Sequence, residues 1–351
     1  MDFFQGLSDH IYINASRLKC LYGMIQGLIL FQNPQLRHMA QGIHGPAKMN
    51  SKIKRISRFF KSQTLDPLQV GLFILNILGK SDKLIITLDR THWVFGKNQN
   101  NLLVAGILVG SISVPIACIN LNKAGNSNTK EREQMLIRLL KIIPAHRIDC
   151  LLADREFIGE SWFKSLVSKQ IPFAIRIKSN TMMIDPQTGE TTPVSAYFGR
   201  VKRGSYEVQT RIWNHPIRLV FVKKRKGIEG ALFLAVSAHE FKRCWVKKYK
   251  DRWSIERMFL SMKTNGFNLE RSHLNQPDRL DTFILVMAMA FALVVKAGLI
   301  SSQSKKIPIK NHGRKLYSLF TYGLNYIKET FWSRGIKHST NPFSHLSFKE
   351  S

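Results

Sequence analysis

Between residues 83 and 178 the chain alternates two kinds of apolar pattern, and this alternation restricts the fold more than any other feature. "LIITLD", "LLVAGILVG" and "VPIACINL" are short Ile, Val and Leu-rich runs bounded by Gly, Asn and Pro, which read as strands. "TKEREQMLIRLLKII" (Thr129 to Ile143) is helix-like, with Met135, Ile137, Leu139 and Leu140 in its apolar part and Pro144 ending it. "IDCLLADREF" returns to strand, "GESWFKSLVSKQ" to helix and "IPFAIRIK" to strand. Three strands, helix, strand, helix, strand predicts an α/β core with a mixed sheet flanked by helices.

The flanks read differently. Residues 1–80 predict a small helical domain. Within it Lys52, Lys54, Arg55, Arg58 and Lys61 interleave with Ile53, Ile56, Phe59 and Phe60. The apolar spacing of three and four is helical and the remaining positions are cationic. Such a helix suits phosphates or a DNA groove. Residues 81–178 hold the first part of the core. In 179–240 the runs "SYEVQTRIW", "IRLVFVKK" and "ALFLAVSA" follow one another with no helix between them, which predicts a β-rich insertion. Helical pattern resumes near Arg243, giving a second core part over 241–275 and a helical C-terminal region over 276–351.

The chain has 351 residues, 44% of them hydrophobic, and Lys plus Arg outnumber acids 53 to 23, for a net charge of +30. The charge is spread along the whole chain and calls for a polyanionic partner, with nucleic acid ahead of an anionic membrane. "FILVMAMAFALVV" from Phe283 is interrupted at Lys296. The run falls short of the ~20 residues of a membrane span, so a buried core helix is expected and no membrane partner. Cys20, Cys118, Cys150 and Cys244 lie far apart without Cys-x-x-Cys spacing, as reduced packing residues of a cytoplasmic protein do.

In so basic a chain the acids need reasons. Asp89 ends "LIITLD" and Asp154 ends "CLLAD". A carboxylate at the exit of a buried strand needs a cation nearby, supplied by a following arginine (Arg90, Arg155) or by a divalent metal. Later, "YKDRWSIERMFLSMK" spaces Tyr249, Arg252, Glu256 and Lys263 by three, four and seven. On an α-helix all four fall within a wedge about 60° wide, beside an apolar stripe of Ile255, Met258, Phe259 and Met262. Two strand-end aspartates and one helix glutamate are oxygen donors that select hard cations such as Mg²⁺ or Mn²⁺, and the surrounding bases suit DNA phosphates.

At these residues the sequence resembles the DDE transposases of bacterial insertion sequences, in particular the insertion-sequence-four group. That group's Tyr-x2-Arg-x3-Glu-x6-Lys signature matches Tyr249, Arg252, Glu256 and Lys263. "LDRTHW" around Asp89, "LADREFIG" around Asp154, "GNSNTKEREQML" and "IPFAIRIKSN" are also similar to the family's core. The resemblance implies a ribonuclease-H-like core with a β insertion before the Glu-bearing helix. It implies that Asp89, Asp154 and Glu256 bind two Mg²⁺ ions, with Mn²⁺ as a substitute. By the same resemblance, Tyr249, Arg252 and Lys263 contact phosphates near the cut end, where a DNA hairpin forms. Arg155 lies in the second Asp context. Trp253 is expected in the core or stacked near that end, and Trp213 is the candidate in the β insertion to receive a flipped base. The implied partners are the element's own terminal inverted repeats, target DNA and a second copy of the chain in a synaptic homodimer. The implied setting is the bacterial cytoplasm, at the nucleoid. Two other readings stay open on the residues alone: a stand-alone nuclease with the same core, and a non-catalytic nucleic-acid-binding protein.

Overall fold

The computed structural model describes residues 3–62, 65–79, 81–96, 98–198, 204–223, 231–237, 245–274, 276–311 and 313–334. The chain forms two compact units. The first gathers Met1–Ser81, Thr91–Ala124 and Ile255–Ser351, and the second Asp82–Arg90 and Gly125–Ser254. One strand, β1 (Leu84–Phe95), contributes residues to each.

In the second unit, β4 (Ile148–Ala153) runs parallel to β1 with Leu84 opposite Ile148 and Leu88 opposite Ala153. β5 (Phe173–Arg176) runs parallel to β4. Between them come α6 (Thr129–Ile142) and α7 (Glu160–Ser168). α6 begins where its sequence dictates. The Asn128 side chain accepts the Glu131 amide at 3.0 Å while the Glu131 carboxylate accepts the Asn128 amide at 2.7 Å, a reciprocal cap that satisfies two orphan donors. The three strand candidates of 179–240 form β8 (Gly204–Ile212), β9 (His215–Lys223) and β10 (Leu232–Ser237). They extend the main sheet, β10 pairing antiparallel to β5, β9 to β10 and β8 to β9. A small hairpin, β6 (Met182–Ile184) with β7 (Thr191–Pro193), and a short α8 (Val194–Tyr197) precede them. Alternate residues of the strands (Cys150, Leu152, Ala174, Val220, Leu234 and Val236) form a core with Trp245 and Tyr249. Those two aromatics open and close α9 (Trp245–Tyr249).

In the first unit, β2 (Asn98–Val109) and β3 (Ile112–Asn120) pair antiparallel. The full strand order is β3-β2-β1-β4-β5-β10-β9-β8, a mixed eight-stranded sheet of the predicted α/β class. The helices are α1 (Phe3–His10), α2 (Ala15–Phe31), α3 (Leu36–Gln41), α4 (Met49–Ser62) and α5 (Pro67–Leu78), then α10 (Trp253–Met262), α11 (Pro277–Ser304) and α12 (Leu319–Arg334). α10 starts two residues before the unit boundary. α11 is the axis of this unit and packs against α2, α4, α5, α12 and β3. The N-terminal helices therefore share their core with the C-terminal ones.

α11 corrects one expectation. At 28 residues it is long and apolar enough to cross a membrane, but 83% of its most apolar window is buried inside the protein. Burial, and not a shortfall in length, marks it as a core helix. Its contact with α12 is close enough to require glycine: a Cβ on Gly298 would stand 2.1 Å from the Leu319 carbonyl oxygen, and one on Gly323 1.9 Å from that of Val294. Cys20, Cys118 and Cys150 are buried free thiols, and Cys244 lies outside the described residues.

Candidate active site

Asp89 and Asp154 are the residues that follow the paired positions Leu88 and Ala153. Asp154 lies just past the end of β4, but Asp89 lies inside β1, which runs on to Phe95 and does not end where its apolar run does. Adjacent parallel strands stand about 4.8 Å apart, so the two aspartates stand side by side. They are held alike. Asp89 Oδ1 accepts the amide of Arg90 at 2.7 Å, and Asp154 Oδ1 accepts the amide of Arg155 at 2.7 Å. Burial pushes the Asp89 carboxyl up to about 6. The Arg90 amide and Arg252 pull it back, while Asp154 and Glu156 push it further up. Desolvation and like charges thus outweigh the local donors, the condition in which a carboxylate gains most from a cation.

The cation in place is not the expected one. Arg252 Nη1 lies 3.3 Å from Asp89 Oδ2, whereas the Arg90 guanidinium turns to Glu156, with Nε 3.1 Å from Oε1. The Arg155 residue is exposed. Glu156 is a residue of this network that sequence reasoning passed over. Its Oε1 also accepts the amide and the hydroxyl of Ser127, each at 3.0 Å. Arg132 closes the network by donating to Ser127 Oγ at 3.0 Å and to the Ile158 carbonyl at 3.0 Å. Burial opposes ionisation of Glu156, but the hydrogen bonds from Arg90 and Ser127 prevail and hold its carboxyl below the usual range. The middle of β1, the segment before α6 and the loop after β4 are cross-tied here. The signal was the Glu two places after Asp154 and the Ser and Arg of "GNSNTKER".

The four signature residues do not share one environment. The wedge assumed a continuous α-helix, but residues Lys250–Arg252 wind as a 3-10 turn between α9 and α10. That tighter turn changes the angular step. Tyr249 is 6% exposed and its hydroxyl donates to the Ala153 carbonyl at 3.3 Å. Burial raises its hydroxyl pKa well above the ordinary value, with Arg252 opposing. Arg252 is 7% exposed. Tyr249 braces the end of β4 beside Asp154 and Arg252 holds Asp89 within β1, and neither is placed as an open phosphate contact. Glu256 is exposed on α10, in the first unit, four residues beyond Arg252. Lys263 Nζ donates to the His92 carbonyl at 3.1 Å, pairs with Glu270 at 2.8 Å and lies 5.6 Å from the centre of the Trp93 ring. Among the described residues no group of three or more His, Cys, Asp or Glu gathers to hold a metal. The fold itself brings together Asp89 and Asp154.

The remaining candidates are placed as follows. Trp253, expected in the core, is 57% exposed. Trp213 occupies the two-residue turn between β8 and β9 with φ 48°, followed by Asn214 at φ 61°. Its ring meets Phe163 of α7 edge-on at 5.3 Å. On α4, Ile56, Phe59 and Phe60 are buried while Lys54 and Arg58 are exposed, and Arg55 is half-buried.

Two oxygen-donor carboxylates on adjacent parallel strands, Asp89 within β1 and Asp154 just past the end of β4, in a sheet whose first five strands run 3-2-1-4-5, define a ribonuclease-H-like α/β protein. The chain belongs to the transposase DDE-domain family, whose model matches residues 80–293, more than half of its length. Among curated proteins none matches. It is therefore a transposase, an enzyme that binds DNA, cleaves its strands and transfers them. Enzymes of this family use divalent metal ions, and the donor chemistry of the Asp89–Asp154 pair fits a hard divalent cation.

Proposed function

We propose that this chain is a transposase of the insertion-sequence-four group that excises its own element through hairpin ends and joins it to target DNA. The observation that carries this reading is the pair of aspartates on the adjacent parallel strands β1 and β4, Asp89 and Asp154, in a chain whose α10 bears the spaced signature glutamate. Asp89, Asp154 and Glu256 would hold two Mg²⁺ ions, or Mn²⁺ in their place. When bound, such ions activate the attacking oxygen and stabilise the leaving one in an in-line phosphoryl displacement. Water attack on a phosphodiester leaves a 3′-hydroxyl. Attack by that hydroxyl on the opposite strand closes a hairpin and releases the flanking strand's 3′-oxygen. A second water then opens the hairpin and restores the 3′-hydroxyl, whose attack on target DNA joins the end to a target phosphate and releases a target 3′-oxygen.

The residues of this chain divide that work. Arg252 holds the Asp89 carboxylate and Tyr249 holds the end of β4, so both act here as positioning residues. Lys263 and Arg155 are assigned to phosphates flanking the cut. Trp253, exposed beside Arg252, offers a stacking face to an unpaired base, and Trp213 is the second aromatic assigned that role. The helical segment 1–80 recognises the terminal inverted repeats through Lys54, Arg55 and Arg58, the β strands of 179–240 form the insertion, and two copies act as a homodimer in the bacterial cytoplasm at the nucleoid. Glu256→Gln tests the signature assignment. With end-labelled element DNA and Mg²⁺ it should still bind the end but give neither nick nor hairpin, and hairpin formation at the wild-type rate would refute the role.

A further inference from the structure

A cleft opens between the first turn of α2 and the last turns of α4, both within the first compact unit. Its volume is about 460 Å³. Arg17, Arg55 and Arg58 line it with the hydroxyls of Ser16 and Ser62, over a buried floor of Cys20 and Phe59. The side chains are tied across the gap between the helices. Arg55 Nη2 donates to Ser16 Oγ at 3.2 Å and to the Ser16 carbonyl. Arg17 Nη2 donates to Ser62 Oγ at 3.3 Å, and Ser62 Oγ donates to the Arg58 carbonyl at 2.6 Å. Arg58 Nε donates to the Lys54 carbonyl at 3.4 Å.

Three guanidinium groups and two hydroxyls line one cavity, with no carboxylate among its described lining residues. A guanidinium is a planar fork of five donors that matches phosphate oxygens two at a time, and the two hydroxyls can add donors. The space admits one phosphate with its sugar and is far too small for a duplex.

We propose that this cleft is a phosphate-binding pocket in which Arg17, Arg55 and Arg58 grip one backbone phosphate of DNA. The phosphate chemistry follows from the cleft, and the choice of DNA as its source rests on the transposase reading. Gripping one phosphate between α2 and α4 would fix how the exposed cations of α4 lie along the backbone, since phosphate contacts set register and orientation without reading sequence.

The test uses the full chain with a random-sequence 30-bp duplex, titrated over a range of KCl. Neutralising one phosphate contributes roughly 0.9 to the slope of log K against log salt. Arg17→Ala and Arg58→Ala should each flatten the slope by about that amount. The double variant should flatten it hardly further, because both arginines serve one phosphate. Arg17→Lys, which keeps the charge, should retain most of the slope and controls for folding. In a second arm, inorganic phosphate at constant ionic strength should raise the melting temperature of the wild type and not that of Arg17→Ala. Thermal protection with unchanged duplex slopes would overturn DNA as the source and leave a pocket for a free phosphate. Protection of a wild type that binds no duplex would sink the DNA reading of the chain and leave the pocket standing. Additive slopes without protection by phosphate would overturn the pocket itself.

Discussion

Asp89 sits where burial and neighbouring acids oppose its charge, while Arg252 and the Arg90 amide favour it. Its carboxyl is raised from 3.8 to about 6, so between those values the folded chain keeps a proton that the unfolded chain has lost. The residue's contribution to stability therefore falls as pH rises through that window, and by pH 7 the ionised group costs of the order of 3 kcal/mol. Asp89→Asn, melted in the presence of a chelator, should be more stable than the wild type at pH 8, with the gain fading between pH 6 and 4. A variant less stable at both ends would contradict the desolvation account. Glu156 has the opposite sign, because its hydrogen bonds favour the charged form. Glu156→Gln should lose about 1–3 kcal/mol at pH 7 by urea denaturation, with the deficit shrinking as pH falls below 4. The two aspartates were legible in the sequence because an acid ending an apolar run has few structural uses. The partner of Asp89 was not. The adjacent arginine was the natural expectation, but the guanidinium that arrives comes from 163 residues away, and periodicity says nothing about such a return of the chain.

At the scale of elements, the strands and helices of 83–178 form where the apolar spacing placed them, with β1, β2 and β3 running longer at their ends than their apolar runs. The reading fared worse where local winding mattered. A helical wheel assumes one angular step throughout, and the 3-10 turn at Lys250–Arg252 breaks that assumption between Tyr249 and Glu256. α11 was recognisable as buried from its composition, but its full length appears only once the polar ends are seen to continue the helix from Pro277 to Ser304. The glycines of α11 and α12 were silent in the sequence, since a close approach of two backbones leaves no periodic mark. Gly298→Ala should destabilise the chain by about 2 kcal/mol or more, as overpacking of a tight core contact does, read as a lowered urea midpoint. An unchanged midpoint would mean that the two helices separate easily.

For the whole molecule, the net charge of +30 announced a polyanionic partner without saying where it binds. The sharing of one core by the N-terminal and C-terminal helices was beyond what composition could show. Because α2, α4 and α5 pack on α11, removing residues 1–80 should leave an aggregating fragment rather than a free catalytic domain. A truncated chain that stays monomeric with a cooperative melt would contradict that packing. The central claim concerns Asp89 and Asp154 as the carboxylate pair of a metal-dependent strand-cleaving site. It is tested most directly by measuring cleavage of element-end DNA by wild type, Asp89→Ala and Asp154→Ala in parallel, with Mg²⁺ and with chelator, alongside duplex binding. The account predicts cleavage by the wild type only with the metal, none by either variant, and binding within a few-fold in all three. Metal-dependent cleavage that survives either substitution would contradict it.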